Sequence, residues 1–128
     1  MRAARVFAVF CLGVSACGGG NTPSSPTVAN TIAIDILGIN GARSFSPNPA
    51  SVPAGQLVIW HNRDIQTHRV VLNDRSVDTG DLAAGAFSQP QQIAAAGGPY
   101  HCSIHPVMVG GVNQDTPDPA PCTGAYCD

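Results

Sequence analysis

Gly97-Gly98-Pro99-Tyr100-His101-Cys102-Ser103-Ile104-His105-Pro106-Val107-Met108 reads as a turn, a strand and a tight loop in succession. Gly-Gly-Pro breaks regular structure, and Tyr100 to Cys102 continue as an extended segment. A thiol, an imidazole and a thioether then follow at positions 102, 105 and 108. A tight loop leaving a strand can aim side chains at that spacing toward one point. Thiolate and imidazole bind soft and borderline metals strongly, and a thioether adds a weak axial contact that copper tolerates and hard ions do not want. One imidazole is missing from such a set, and His68, well upstream, can supply it from another strand.

The chain before this segment reads as β. Ile32, Ile34 and Ile36 alternate with Ala33, Asp35 and Leu37, which gives an extended segment one clearly apolar face. Pro47-Asn48-Pro49 and Pro53-Ala54-Gly55 are turn signals around a short extended piece at Ser51-Val52. Leu57-Val58-Ile59-Trp60 is rich in strand formers and stops at Asn62-Arg63-Asp64. Thr67 to Leu72 and Phe87 to Ile93 are expected as further strands, the second placed at an edge or bend by Pro90. Ala83 to Ala86 and Ala94 to Ala96 are helix-like but too short to stand alone. Short strands with regular Gly/Pro punctuation predict an all-β sandwich or barrel over residues 31–113.

The two ends read differently. Arg2 and Arg5 precede an apolar run, Val6 to Val14, that is too short to span a bilayer, and Val14-Ser15-Ala16 is a small-residue cleavage site. Residues 1–16 are therefore expected to be an export signal. Cys17 follows at once, an arrangement that resembles the lipobox of bacterial lipoproteins, with the cysteine carrying lipid. Residues 17–30, rich in Gly, Ser and Pro, read as a flexible tether. Residues 114–128 are a Pro-rich tail with too few apolar side chains to pack, in which Cys122 and Cys127 can pair in an oxidising compartment. With Cys11 inside the signal, Cys102 is left as an odd cysteine in an exported chain, and a metal accounts for it.

The 128 residues contain no lysine and no glutamate. Cleavage before Cys17 would leave four arginines against eight aspartates, a net charge of −4. Nothing forms a basic patch, which argues against nucleic acid as a partner. Enzymatic motifs are also missing: there is no Gly-x-Ser-x-Gly and no phosphate-binding glycine loop.

Taken together, Phe45-Ser46-Pro47-Asn48-Pro49, Val52-Pro53-Ala54-Gly55, Val58-Ile59-Trp60-His61-Asn62-Arg63-Asp64, His68, Gly85-Ala86-Phe87-Ser88 and Tyr100 to Met108 resemble the plastocyanin/azurin family, the cupredoxins. The short Cys-x-x-His-x-x-Met loop is most similar to the amicyanin-like branch. The resemblance implies a Greek-key β-sandwich holding one type 1 copper through His68, Cys102, His105 and Met108, with both histidines bound through Nδ1. It also implies that the protein shuttles electrons between larger redox proteins, with His105, Pro106 and Val107 forming the partner surface and His105 tending to reach solvent. Copper oxidases and reductases of the superfamily need a further copper site, often built on His-x-His pairs, and none of the four histidines is so spaced. A monomeric carrier at the cell envelope, and not an enzyme, is the expectation.

Two departures stand out. Many relatives carry Asn or Thr after the first histidine, where its side chain helps to pin the ligand loop; here that place holds Arg69. After Met108, Gly110-Gly111-Val112 leaves only a stub of the usual closing strand. The remaining histidines are read as structural: His101 points away from the sulfur of its neighbour on an extended segment, and His61 lies at a strand end. Trp60 is expected as a core anchor, with Tyr100 packing or hydrogen-bonding near the site. A rival reading with the same ligands is a copper-handling module that sequesters the metal or passes it on.

Overall fold

The computed structural model describes residues 30–121. The expected signal, nearly all of the expected tether, and the Cys122–Cys127 pair lie outside the described residues.

Among the described residues, seven short strands form two sheets. Strands β1 (Thr31–Ile36), β2 (Phe45–Ser46), β3 (Leu57–Asn62) and β5 (Gln91–Gln92) make one, in the order β2-β1-β3-β5. Strands β4 (Val70–Leu72), β6 (Gly98–Cys102) and β7 (Val109–Val112) make the other, in the order β4-β6-β7. Strands β1 and β3 are parallel in register from Thr31↔Leu57 to Ile36↔Asn62. Two parallel neighbours need a crossover, and the chain makes it by pairing β2 back on β1 and then adding Ala50 alongside Val112 at the edge of the second sheet.

Period-two burial turns this topology into a sandwich. Ile34 and Ile36 on β1, and Val58, Trp60 and Asn62 on β3, face inward. They meet Val70 and Leu72 of β4 and Tyr100 and Cys102 of β6, all at most 1% exposed. Tyr100 is the hinge of this packing. Its ring meets Phe45 edge-on at 4.9 Å and Trp60 edge-on at 5.7 Å, so the expected core anchor and the expected packing residue form one aromatic cluster between the sheets.

Several expected strands are shorter than their sequence predicts. Of Thr67–Leu72 only Val70–Leu72 joins a ladder; His68 instead makes an isolated bridge, exchanging both backbone hydrogen bonds with Leu82 at 2.7 and 3.0 Å. Of Phe87–Ile93 only Gln91–Gln92 pairs, at the sheet edge that Pro90 implies, while Phe87 bridges to His61. The closing strand is short, as its sequence implies, beginning one residue earlier at Val109. All four residues of β7 are buried and pair with Gly98 to His101. Glycine conceals this in the sequence, because a Cβ on Gly110 would lie 2.2 Å from the Tyr100 ring and one on Gly111 would lie 2.4 Å from the Gln114 carbonyl. The strand is buried because large groups lie over it, not because its own side chains are large.

The first residues of the tail are tied to the domain by polar contacts, Gln114 Nε2 donating to the Ala96 carbonyl at 3.0 Å. Asn48 donates to the carbonyls of Ala42 and Val109, and its own oxygen accepts from Gly111 N–H and Thr116 Oγ1. At the end of the domain, Asn113 ties to both backbone groups of Val52, at 2.7 and 2.9 Å. Among the described residues no helix is long and apolar enough to cross a membrane.

Candidate metal centre

Three of the four sequence-predicted donors converge. Cys102 is the last residue of β6, His105 lies in the loop that follows, and His68 comes from the bridge before β4. His68 Nδ1 lies 3.7 Å from Cys102 Sγ, His105 Nδ1 lies 3.7 Å from the same sulfur, and the two nitrogens are 3.2 Å apart. Cys102 and His68 are fully buried and His105 is 3% exposed, so His105 does not reach solvent as the resemblance implied.

The fit to a metal follows from the triangle itself. Sides of 3.7, 3.7 and 3.2 Å have a centre about 2 Å from each corner. That is the ~2.0–2.1 Å of a metal–imidazole bond and a little under the ~2.3 Å of a metal–thiolate bond. Three lone-pair donors buried this close need a cation or protons between them. A His₂Cys trigonal set is the arrangement that type 1 copper takes.

Backbone contacts hold the triangle. Cys102 N–H donates to the Met108 carbonyl at 3.1 Å, and Met108 N–H donates to the His105 carbonyl at 2.9 Å, closing the loop on itself. Met108 is fully buried at the mouth of that loop, immediately before β7. The Arg69 backbone N–H points at Cys102 Sγ from 3.5 Å, and Ser103 N–H donates to the Arg69 carbonyl at 2.8 Å. With arginine at this position, the tie between the two ligand-bearing segments thus runs through the backbone. The Arg69 side chain turns outward to grip both oxygens of Asp78, at 2.8 and 2.6 Å, which with the Gly80 N–H holds that carboxyl down at about 2.

Electrostatics inside the site oppose one another. Burial alone would keep His68 neutral, but its contacts with Cys102 and Asp64 outweigh burial and shift it upward. Burial would raise the Cys102 thiol, yet the contact with His68 and the backbone N–H groups of Arg69, His105 and Ile104 bring it down toward the thiolate that a metal requires. His105 is pushed down, first by burial and then by the neighbouring His68, which favours the neutral ring that ligates.

The other histidines stand outside the cluster, as read. His101 Nδ1 lies 2.7 Å from Asn73 Oδ1, on the outer face of β6. His61, on β3, stacks on Phe87 with ring centroids 3.9 Å apart and reaches toward Asp35, which also takes Arg63 at 3.0 Å. One residue of the site escaped the sequence reading. Asp64 Oδ2 lies 2.8 Å from His68 Nε2. Asn62-Arg63-Asp64 reads as the end of a strand, and the only signal is a carboxylate four positions before the histidine.

The chain matches no family model. Among solved structures it is similar to a purple cupredoxin from Nitrosopumilus maritimus, at 26% identity and a TM-score of 0.52, over 62% of this chain and 95% of that one. It is also similar to an amicyanin variant in the Cu(I) form, at 24% identity and a TM-score of 0.52, over 66% of this chain and 81% of that one. A copper-containing nitrite reductase from Thermus scotoductus matches at 23% identity and a TM-score of 0.51, over 64% of this chain and 21% of the enzyme. The described domain therefore has the cupredoxin fold, an all-β sandwich with a buried His-Cys-His donor group suited to one type 1 copper. Cys102, His105 and Met108 follow one another at intervals of three residues, so the loop that carries them is short.

Proposed function

We propose that this protein is a blue copper protein that carries single electrons between redox partners at the cell envelope, with His68, Cys102, His105 and Met108 as the copper ligands. The observation that carries the reading is the convergence of His68 Nδ1, His105 Nδ1 and Cys102 Sγ within 3.7 Å in a fully packed sandwich. Bound copper would supply a reversible Cu(II)/Cu(I) couple. The chain supplies rigidity. His68 is fixed by Leu82 on both sides of its peptide, Cys102 by Met108 and Arg69, and Met108 by His105. Donors held this way need to move little when charge changes, and small reorganisation favours fast electron transfer.

Met108 is the fourth ligand on position and chemistry: a buried thioether closing the loop that already bears Cys102 and His105. Met108→Leu is expected to leave copper bound and raise the reduction potential, because removing a donor would disfavour Cu(II) more than Cu(I). Voltammetry of the two proteins checks this, and an unchanged potential would remove Met108 from the ligand set.

Partners would dock at the ligand end. Pro106 and Val107 belong to the loop, and Ile104 beside them is 43% exposed. Ile65, which follows the Asp64 that contacts His68, is 89% exposed and adds a second apolar side chain near the ligand-bearing segments. The protein would act as a monomer and a carrier, not as an enzyme. The match to nitrite reductase covers about a fifth of that protein and bears on fold alone. Export and a lipid on Cys17 would place it on a membrane surface; Cys17→Ser is expected to move it from the membrane to the soluble fraction on fractionation, and continued membrane association would refute the anchor.

Repeated oxidation and reduction of the loaded protein beside a Cu(I) chelator tests the function. A carrier cycles with its copper retained. Loss of copper to the chelator at each reduction would indicate the rival role of copper handling.

A further inference from the structure

His68 is gripped from both ends of its ring. Its Nδ1 faces Cys102 and His105, and its Nε2 lies 2.8 Å from Asp64 Oδ2. The imidazole is fully buried and the Asp64 side chain is 17% exposed. The other carboxylate oxygen accepts the Ile65 N–H at 2.7 Å, so both oxygens are assigned. The neighbouring arginines do not compete for it: Arg63 pairs with Asp35 and Arg69 with Asp78.

The loop that presents Asp64 is itself built from the core. Asn62, fully buried, donates to the carbonyls of Gln66 at 2.6 Å and Leu82 at 2.9 Å, and its Oδ1 accepts the Asp64 N–H at 2.9 Å. Its own backbone is held by Ala86 and Gly85, each at 2.8 Å. Leu82 in turn fixes the His68 peptide. One buried amide therefore sets the distance between the carboxylate and the ring.

We propose that Asp64 is a positioning residue for His68: it accepts the Nε2–H, so that the Nδ1 lone pair faces the donor triangle, and its negative charge favours the more positive state of a metal held there. The first half stands in the metal-free protein; the second rests on the copper reading above. A carboxylate behind a ligating histidine fixes the tautomer and raises the ring's basicity, and losing such a partner typically weakens metal binding ~10–100-fold.

The test uses the full chain and the substitutions Asp64→Asn, Asp64→Leu and Asp64→Glu. Two-bond proton–nitrogen NMR of the metal-free protein at alkaline pH should place the His68 proton on Nε2. It should remain there with asparagine, whose oxygen still accepts, and redistribute with leucine. With copper, Asp64→Leu should bind ~10–100-fold more weakly. Asp64→Asn should favour Cu(I) about tenfold more than the wild type, a rise of ~59 mV, and Asp64→Glu, which keeps the charge, should show little of that rise. A merely structural turn residue would leave the asparagine variant unshifted. An unmoved proton in Asp64→Leu together with an unmoved potential in Asp64→Asn would overturn the proposal. Failure of the wild type itself to bind copper would sink the copper reading instead, with the metal-free spectra still deciding what Asp64 does.

Discussion

Cys102→Ser is expected to leave a folded sandwich that shows no thiolate-to-copper absorption and binds copper far more weakly. Serine differs from cysteine by one atom, and the residue lies in a fully buried site on β6, so the change removes little packing. The Arg69 N–H that points at the sulfur retains an acceptor in the hydroxyl. What disappears is the soft anionic corner of the triangle, already drawn toward thiolate by His68 and three backbone N–H groups. A serine hydroxyl does not ionise in this range and supplies no sulfur orbital for charge transfer. The loss of affinity should exceed the ~10–100-fold typical of an outer partner, and the visible band should vanish altogether. Copper titrations followed by absorbance, with circular dichroism to check folding, read both outcomes. Retention of the band would mean that another sulfur makes it.

The second large effect falls on stability. Gly110→Ala should cost ~3 kcal/mol or more and lower Tm by roughly 15 °C, at the severe end of overpacking effects. The new methyl would lie 2.2 Å from the Tyr100 ring, and that ring has nowhere to go. It is fully buried and wedged between Phe45 and Trp60. Gly98→Ala is the control on the paired strand. Its Cβ would meet Leu72 at an ordinary 3.7 Å, so that variant should change stability by less than ~1 kcal/mol. Thermal unfolding of the two variants separates a steric effect at Gly110 from a general intolerance of the β6–β7 ladder. Equal melting temperatures would show that the ring can move.

What the sequence made legible was chemistry and alternation. Cys102, His105 and His68 could be read as donors because a sulfur and imidazoles at such spacing have few other uses, and the structure brings those three together. Ile34/Ile36 and Val58/Trp60 follow a two-residue period that a half-buried strand imposes, and they form the core as that period implies. Pairing was not legible. Nothing in Phe45-Ser46 shows that it lies back on β1, and nothing in β1 or β3 shows that they run parallel. Such facts depend on long-range contacts, not on local preference. His68 was read into a strand because its neighbours are strand formers, yet its backbone bonds go to Leu82, outside the ladder. That departure frees it to face the sulfur. The burial of the closing strand was not legible, because glycine gives no sign of the aromatic ring lying across it. Asn62-Arg63-Asp64 reads only as the end of a strand, and nothing local shows that the carboxylate there reaches a buried histidine.

Four side chains from two stretches of chain are proposed to make one copper–thiolate centre. Its most direct test is the visible absorption and electron paramagnetic resonance spectrum of the full chain loaded with one equivalent of Cu(II). The structure predicts an intense visible thiolate-to-copper band together with the resonance of a highly covalent copper–sulfur site, both lost on reduction and regained on reoxidation. Weak ligand-field absorption alone, with the resonance of copper held by nitrogen and oxygen, would contradict it.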